Sequence, residues 1–408
     1  MKLDYKKTML VGLGFFTVSL VWTIYNVAVP LYLKEFALSG AVIGFIMALD
    51  NIFAVVFQPI FGTLSDRTNT RYGRRMPYLL VGIPLAAISF FIIPFTRQSL
   101  PLLMIAVIFL NFFMSVYRSP AVALMPDLTP RALRSKANGI INFMGGLGTA
   151  IAYLVSWLLF KMGEFYPYVT VAGAMIIAII VMYNFIKEPE TPVDDAPEVQ
   201  KQKGEHDKGK TLSLIFLLLA IFFWFTGFNA IETFFSTYGE AVLGVDKSVS
   251  SQLLLSVSVL FLIFAMPAGI VSRRFGRKNT ILTGLCLFIF TCVSLIFIKK
   301  VAIMYFLLGL GGISWALINI NSYPMVVEMT SSGGVGKYTG YYYLFSMLAA
   351  IISPILYGFL ADMLGDGFLF IYATVALVIA LFFMMLVKHG EAPMEEKKGF
   401  ENLEHMES

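Results

Sequence analysis

Twelve long apolar stretches, separated by short polar connections, divide this 408-residue chain. A helix of roughly 20 residues crosses the hydrocarbon core of a bilayer, where backbone groups find no water and must hydrogen-bond to one another. We therefore predict an all-α membrane protein with twelve transmembrane helices in two pseudo-symmetric six-helix bundles. The predicted spans cover residues 8–34, 40–65, 76–96, 101–126, 134–161, 166–187, 211–238, 248–272, 279–298, 301–327, 336–363 and 367–388.

Composition agrees with this interpretation. Hydrophobic residues make up 58% of the chain and charged residues 13%, whereas soluble domains carry roughly 25% charged residues. The stretch 188–210 is charged, contains prolines and has almost no large apolar residues, which is typical of a flexible linker. The sequence thus predicts an N-terminal half at 1–187, a cytoplasmic linker at 188–210, a C-terminal half at 211–390 and a cytoplasmic tail at 391–408.

The run GTLSDRTNTRYGRRMPY at 62–78 places four arginines and one aspartate between the second and third spans. Such a block cannot lie in hydrocarbon, and its positive charge marks the cytoplasmic surface. Most of the 30 lysines and arginines fall on that same side when both termini are placed there. We expect a multi-pass protein with both termini cytoplasmic, and the short loops fit a bacterial inner membrane.

A weaker copy of this run, GIVSRRFGRK, begins 207 residues later. The matched positions are Gly62, Ser65, Arg67, Gly73, Arg74 and Arg75 in the first copy and Gly269, Ser272, Arg274, Gly276, Arg277 and Lys278 in the second. A repeat of half the chain length is typical of transporters built from two parallel halves.

Twelve spans in two halves, with GxLSDR and GRR between the second and third, resemble the major facilitator superfamily. The longer run DRTNTRYGRRMPY, the preceding pair Gln58-Pro59 and the run RSPAVALMPDLTP at 118–130 are similar to one branch. That branch contains the glycoside–pentoside–hexuronide:cation symporters and the sucrose:proton symporters. The resemblance implies a secondary transporter of a small-molecule sugar, working by rocking of the two halves within the lipid bilayer.

In this family the motif holds a cytoplasmic gate through charge pairs and helix-end contacts. Carried onto this chain, the resemblance implies gate residues at Gly62, Asp66, Arg67, Arg71, Gly73, Arg74, Arg75, Asp127, Arg274, Gly276, Arg277 and Glu328. Asp127 and Glu328 end their spans at the cytoplasmic face, where they are expected to cap the interface. The alternative for the arginines is plain topology signalling.

Departures from the resemblance bear on the coupling ion. Melibiose-type symporters bind their cation with acids on the second helix, where this chain has Gln58 and, one turn earlier, Ala54. They also carry an acid two positions before the fourth-helix proline, where this chain has Arg118. Asn111 occupies the place of the proton-handling acid of sucrose symporters. A sodium site of the melibiose type is therefore disfavoured, and a coupling proton is expected without any other cofactor or metal.

Three charged residues lie within predicted spans and away from the span ends: Asp50, Arg118 and Glu232. An ion at the centre of a span costs roughly 2.5–3.5 kcal/mol on insertion scales, so each needs an explanation. Asp50 is a candidate to take up the coupling proton and to pair with Arg118, and the alternative is a static buried ion pair or a polar contact between helices. Glu232 is a candidate proton site, an acceptor for sugar hydroxyls or an outer-cavity surface group.

Sugar recognition requires hydrogen-bonding groups and aromatic faces on the cavity-lining helices, which the resemblance identifies as the first, fourth, seventh and tenth. Packing against lipid or protein is the alternative for any single aromatic residue. The candidates are Trp22, Tyr25, Asn26, Asn111, Trp224, Asn229, Trp315, Asn319 and Asn321.

Other function classes fit poorly. Basic residues are spread over several loops, which disfavours nucleic-acid binding, and Cys286 and Cys292 lie in one apolar segment without metal-site spacing. We expect no enzyme activity. The prediction is a monomeric, proton-coupled symporter of a disaccharide or other glycoside. Alternatives are an exporter or uniporter of another small polar solute and, in a different class, a non-transporting membrane sensor of sugar.

Overall fold

The computed structural model describes residues 3–130, 133–188, 208–329 and 335–390. Nearly all of the predicted linker and the whole predicted tail lie outside these ranges. Twelve helices in the described part are long and apolar enough to cross a membrane, which confirms the predicted fold class. They are α1 (Tyr5–Glu35), α2 (Gly40–Arg67), α3 (Met76–Thr96), α4 (Leu100–Leu128), α5 (Arg134–Leu159), α6 (Tyr166–Phe185), α7 (Lys208–Tyr238), α8 (Lys247–Phe275), α9 (Arg277–Phe297), α10 (Val301–Glu328), α11 (Val335–Leu364) and α12 (Leu369–Leu386).

Local signals explain several helix ends. Asp4, Ser39 and Asp246 each accept a hydrogen bond from a backbone N–H in the first turn of α1, α2 and α8, as N-cap residues do. Gly276, with a φ of 85°, makes the turn between α8 and α9 in a conformation that side chains rarely adopt. A π-helical turn, Gly239–Leu243, extends α7.

The helices form two six-helix halves, α1–α6 and α7–α12. Within the halves, α1 packs against α5, α3 against α4, α8 against α10 and α7 against α12. Between the halves, α2 packs against α11, α5 against α8 and α1 against α7. Many large apolar side chains remain exposed on the outer surface, such as Met266 and Phe306, as expected of helices that face lipid.

The bundle has two ends. We call the end where α1 begins and α12 ends the terminal end, and the end where α1 ends and α2 begins the opposite end. The motif at 62–78 and its copy at 269–278 lie at the terminal end, because they connect α2 with α3 and α8 with α9.

Candidate functional site

At the terminal end, Arg75 is the centre of a polar cluster. Its Nε donates to Asp127 Oδ2 at 2.9 Å, its Nη1 donates to Ser65 Oγ at 2.5 Å, and it pairs with Asp66. Arg74 adds a second contact to Asp127 at 3.3 Å. Burial alone would lower the pKa of Arg75, but the hydrogen bonds and charges of Asp127 and Asp66 outweigh it and raise that pKa. The guanidinium therefore stays charged and ties α2, α3 and α4 together.

Glu188, at the start of the predicted linker, caps α3. Its carboxylate accepts hydrogen bonds from the backbone N–H groups of Arg74 at 2.7 Å, Arg75 at 2.9 Å and Met76 at 2.6 Å. A carboxylate at a helix N-terminus satisfies free N–H groups and interacts favourably with the helix dipole. Gly73, with a φ of 104°, leaves room for it, since a Cβ there would lie 2.6 Å from Glu188 Cδ. Sequence reasoning missed this role because the cap is more than 100 residues from the motif.

The second motif repeats part of this arrangement. Arg277 at the start of α9 pairs with Glu328 at the end of α10, as Arg75 at the start of α3 pairs with Asp127 near the end of α4. The predicted gate residues Arg67 and Arg274 are exposed instead, and Arg274 lies over the ring of Phe275. Arg71 is also exposed and lies over the ring of Tyr72 at 4.6 Å. Gly62 accepts a hydrogen bond from Arg75 at 3.4 Å.

Polar contacts between the halves are found at the opposite end. Lys34 Nζ bonds Asp366 at 2.8 Å, and Asp362 accepts hydrogen bonds from Gly40 N at 2.6 Å and Ala41 N at 3.2 Å. Glu164 pairs with Lys247 and receives a hydrogen bond of 2.7 Å from the hydroxyl of Tyr32 in its own half. No sequence pattern identified these residues, since they are ordinary polar or charged side chains at or near helix ends.

Glycines allow α2 and α11 to touch at this end. A Cβ added to Gly44 would overlap the carbonyl of Pro354, and one added to Gly358 would overlap the carbonyl of Gly40. The backbones therefore meet without intervening side chains, as small residues permit between membrane helices.

The three ions within spans lie inside the bundle. Asp50 and Arg118, both in the described part of the chain, form no ion pair within 4 Å, although they lie within electrostatic reach of each other. Asp50 instead accepts hydrogen bonds of 2.6 Å from the backbone N–H and the Nδ2 of Asn51. Glu232 on α7 lies within electrostatic reach of Asp50. One acid from each half and one arginine thus share the interior.

Glu232 also lines a cavity of about 70 Å³ between α5 and the helices of the C-terminal half. The neighbouring side chains are mostly apolar and include Tyr153, Phe228, Phe288 and Cys292. A carboxylate with such neighbours is poorly solvated, which makes its charge expensive unless a proton or ligand compensates it.

Candidate residues of the N-terminal half come together on α1 and α4. The rings of Trp22 and Tyr25 pack edge to face at 5.3 Å, and the Tyr25 hydroxyl lies beside Asn111. Asn111 Nδ2 bonds the carbonyl of Val107 at 2.8 Å. Trp22 Nε1, Tyr25 Oη and Asn111 Oδ1 have no hydrogen-bond partner among the described residues. Asn26 is half-buried on the same helix as Trp22.

In the C-terminal half, Trp315 stacks on Phe228 with ring centroids 3.9 Å apart, which joins α10 to α7. Asn229 and Asn321 donate to carbonyls of their own helices, at 2.7 Å and 2.9 Å. Asn319 is half-buried. Trp224 is completely buried, and its Nε1 has no partner among the described residues.

Together these features define a membrane transport fold, with two six-helix halves around a polar interior. Residues 11–267 and 242–405 match the profile of the Major Facilitator Superfamily. The chain belongs to the Major Facilitator Superfamily, whose members are transporters of small molecules rather than enzymes.

Two curated relatives show the breadth of this similarity. The chain is 23% identical over 345 residues to the class H tetracycline resistance protein of Pasteurella multocida, covering 81% of this chain and 83% of the relative. It is 22% identical over 278 residues to an isoprimeverose transporter of Lactiplantibacillus pentosus, covering 63% of this chain and 56% of the relative.

Two solved structures share the fold. A bacterial homolog of the human lysosomal transporter Spinster superposes with a TM-score of 0.74 at 14% identity, covering 95% of this chain and 97% of that one. A D-xylose-proton symporter superposes with a TM-score of 0.69 at 18% identity, covering 93% and 96%.

Proposed function

We propose that this protein is a secondary active transporter that carries a disaccharide or other glycoside together with a proton. The observation that carries the proposal is a set of buried polar groups on α1, α4 and α7 that have no hydrogen-bond partner within the described part of the chain: Trp22 Nε1, Tyr25 Oη, Asn111 Oδ1 and Trp224 Nε1. A buried polar group without a partner costs roughly 1–3 kcal/mol. Ring hydroxyls of a sugar are suitable partners, and the aromatic faces of Trp22 and Tyr25 suit the C–H faces of the ring.

Coupling to a proton is supported by the arrangement of the interior acids. Asp50 lies ten residues into α2, which at 1.5 Å per residue is about 15 Å from the helix start. It bonds Asn51 rather than pairing with Arg118, so protonation of Asp50 would not break an ion pair. Proton uptake by Asp50 would change the field at Arg118 and Glu232, and thereby couple proton movement to substrate binding.

Alternating access is supported by the two sets of end contacts. The halves are held together at the opposite end by Asp362, Glu164 and their partners. At the terminal end, the charge pairs of Arg75 and Arg277 stay within one half each. In this proposal the terminal end is cytoplasmic, in the cell membrane, and the structure corresponds to a state closed toward the outside.

The similar proteins support two different candidate functions, sugar transport and export. The sugar transporter of Lactiplantibacillus pentosus and the D-xylose-proton symporter support a sugar substrate. The tetracycline resistance protein matches a larger share of this chain, and it favours an exporter as the second candidate.

The test is to place cells that express the protein in weakly buffered medium and add disaccharides one at a time while recording external pH. Alkalinisation by one sugar, absent in cells without the protein, is the expected result. If no sugar changes the external pH although expression of the protein is confirmed, the proposal is contradicted, and an exporter or a non-sugar solute is favoured.

A further inference from the structure

Glu232 is an acid in a mostly apolar part of the bundle interior. It lines the cavity between α5 and the C-terminal half, and within the described residues it makes no hydrogen bond or ion pair. By contrast, Asp66, Asp127, Glu164 and Glu328 each contact an arginine or a lysine. Because a carboxylate with apolar neighbours is poorly solvated, a positive group from elsewhere is needed to compensate its charge.

The interior charges of the bundle are unequal. Arg118 lies within electrostatic reach of Asp50, whereas the charge that acts on Glu232 is the like charge of Asp50. Two acids thus share one arginine, and Glu232 has no basic neighbour among the described residues. A group that binds beside Glu232 is favoured if it brings a positive charge.

The walls of the cavity suit an organic cation of limited size. Four aromatic side chains line it: Tyr153 on α5, Phe228 on α7, Phe288 on α9 and Phe370 on α12. Aromatic rings attract a cation more strongly than aliphatic groups do. A water molecule needs roughly 10–15 Å³ of such space, so a cavity of about 70 Å³ has room for an ammonium group and the carbon that bears it. A metal ion would instead require a cage of oxygen ligands, and the described walls are mostly apolar.

The carboxylate lies next to groups that suit a sugar ring. Phe228 and Asn229 precede Glu232 by four and three residues, so the three side chains lie on one side of α7. Phe228 stacks on Trp315 with ring centroids 3.9 Å apart, which places an aromatic pair beside the cavity. Tyr153 approaches from the N-terminal half and lies within electrostatic reach of Glu232. A ligand at this point therefore contacts both halves.

We propose that the transported solute is a glycoside that carries an amino group, and that its ammonium binds Glu232. This inference rests on the proposed glycoside transport and names its substrate class. The ammonium donates charge-assisted hydrogen bonds to the carboxylate, which are stronger than those of a neutral hydroxyl. The sugar ring lies toward Asn229 and the pair of Phe228 and Trp315. The coupling proton and the ammonium then bind different acids, Asp50 and Glu232.

Pairs of ligands that differ only in the charged group test this inference. The pairs are hydroxyethyl β-D-glucoside with aminoethyl β-D-glucoside, and cellobiose with chitobiose, which has an amino group in place of a hydroxyl on each ring. The N-acetyl form of each amine keeps the nitrogen but removes the charge. Binding of each ligand is measured calorimetrically to the purified full-length protein and to the variants Glu232→Gln and Glu232→Asp. Glu240→Gln, at an exposed glutamate in the π-helical turn that extends α7, is the matched control.

The expected result is tighter binding of each amine than of its neutral partner and of its N-acetyl form. Glu232→Gln weakens binding of the amine about 10- to 100-fold, as loss of a charge-assisted contact does, and leaves the neutral partner unchanged. Glu232→Asp, which keeps the charge on a shorter side chain, gives an intermediate value, and Glu240→Gln behaves as the original protein. The thermal transition of each unliganded variant reports whether it is folded.

Three results would overturn the inference in distinguishable ways. If the neutral glycosides bind as well as the amines or better, Glu232 is not an ammonium site and a proton neutralises it, while glycoside transport itself stands. If the amines bind more tightly but folded Glu232→Gln binds them as the original protein does, the ammonium binds at another residue. If no glycoside of any kind binds to the folded protein, the proposed glycoside substrate fails and the amino glycoside fails with it. The first and third results are read from the original protein, so they do not depend on the folding of any variant.

Discussion

Asp362 on α11 caps the N-terminus of α2 in the other half of the molecule, with its Oδ1 2.6 Å from Gly40 N. The two residues are 322 positions apart in the sequence. A helix N-terminus exposes free N–H groups and a partial positive charge, which a carboxylate satisfies. Here that carboxylate belongs to the opposite half, so the cap exists only while this end is closed.

Replacing Asp362 with alanine is therefore expected to favour the state in which the opposite end is open. Loss of a capping side chain costs about 1 kcal/mol, which corresponds to roughly a fivefold change in the population of the two states. Spin labels at Glu35→Cys and Glu240→Cys, with both native cysteines replaced by alanine, report the separation of the halves. We expect a larger share of long distances in the variant.

The control for this experiment is Asp246→Ala. Asp246 also caps a helix, but it bonds Val249 of its own helix α8 at 2.8 Å. Its loss should lower thermal stability without changing the distance distribution. An equal shift in both variants would show that capping in general, rather than the contact between halves, controls this end.

A substitution at the glycine contact between α2 and α11 should disturb closure of the opposite end more strongly than loss of the Asp362 cap. A methyl group on Gly358 would overlap the carbonyl of Gly40, so Gly358→Ala should prevent closure of the opposite end. Transport should fall at least tenfold while the protein stays folded, since only one of the two states is blocked. Gly173→Ala on α6, where a Cβ meets nothing within 4 Å, should transport normally. Full activity of Gly358→Ala would contradict this account of closure.

Loss of the α3 cap should destabilise the N-terminal half. Glu188→Ala removes the acceptor for three backbone N–H groups, and we expect a cost of about 1–2 kcal/mol and a lower Tm. Lys187→Ala, at the exposed preceding residue, is the control and should leave Tm unchanged. Equal Tm values for the two variants would show that the cap does not contribute to stability.

Asp127 offers a comparison of a buried ion pair with a more exposed one. Asp127→Asn leaves the half-buried Arg74 with a neutral partner and the buried Arg75 with Asp66 as its remaining acidic partner among the described residues, and it should cost up to about 3 kcal/mol, measured as a fall in Tm. Asp366→Asn breaks the more exposed pair with Lys34, where the cost should stay below about 1 kcal/mol. A larger effect at Asp366 would reverse the assigned importance of the two contacts.

Sequence reasoning could predict the fold because span length and hydropathy depend on local composition. All twelve helices were predicted, although α8 continues to Phe275, three residues beyond the predicted span. The ion pairs of the motifs could also be predicted, because Arg75 lies at the start of α3 and Asp127 lies near the end of the neighbouring helix α4.

The contacts between the halves could not be predicted in the same way. Asp362 and Gly40 are joined only by the packing of α2 on α11, and nothing in their local sequence identifies the pairing. The expected contact of Asp50 with Arg118 depends on helix rotation and on competition from Asn51, which hydropathy does not encode. The roles proposed for both residues in coupling remain predictions.

In the proposed mechanism Asp50 takes up the coupling proton, and the variant Asp50→Asn tests this role. An amide cannot exchange a proton, so this variant should lose accumulation against a gradient and keep substrate binding and counterflow exchange. Asn51→Ala, which removes the Nδ2 donor to Asp50 but keeps the carboxylate, is the control and should still accumulate substrate. Normal accumulation by Asp50→Asn would remove this residue from the coupling step.

The most direct measurement of proton-coupled transport uses the purified protein in liposomes. The glycoside that gives alkalinisation in cells is supplied outside, with the interior made alkaline and sodium absent from both sides. We predict accumulation above the external concentration, abolished by a protonophore and absent in the Asp50→Asn variant. Uptake that only equilibrates, or that accumulates with a sodium gradient and ignores the pH gradient, would contradict proton symport.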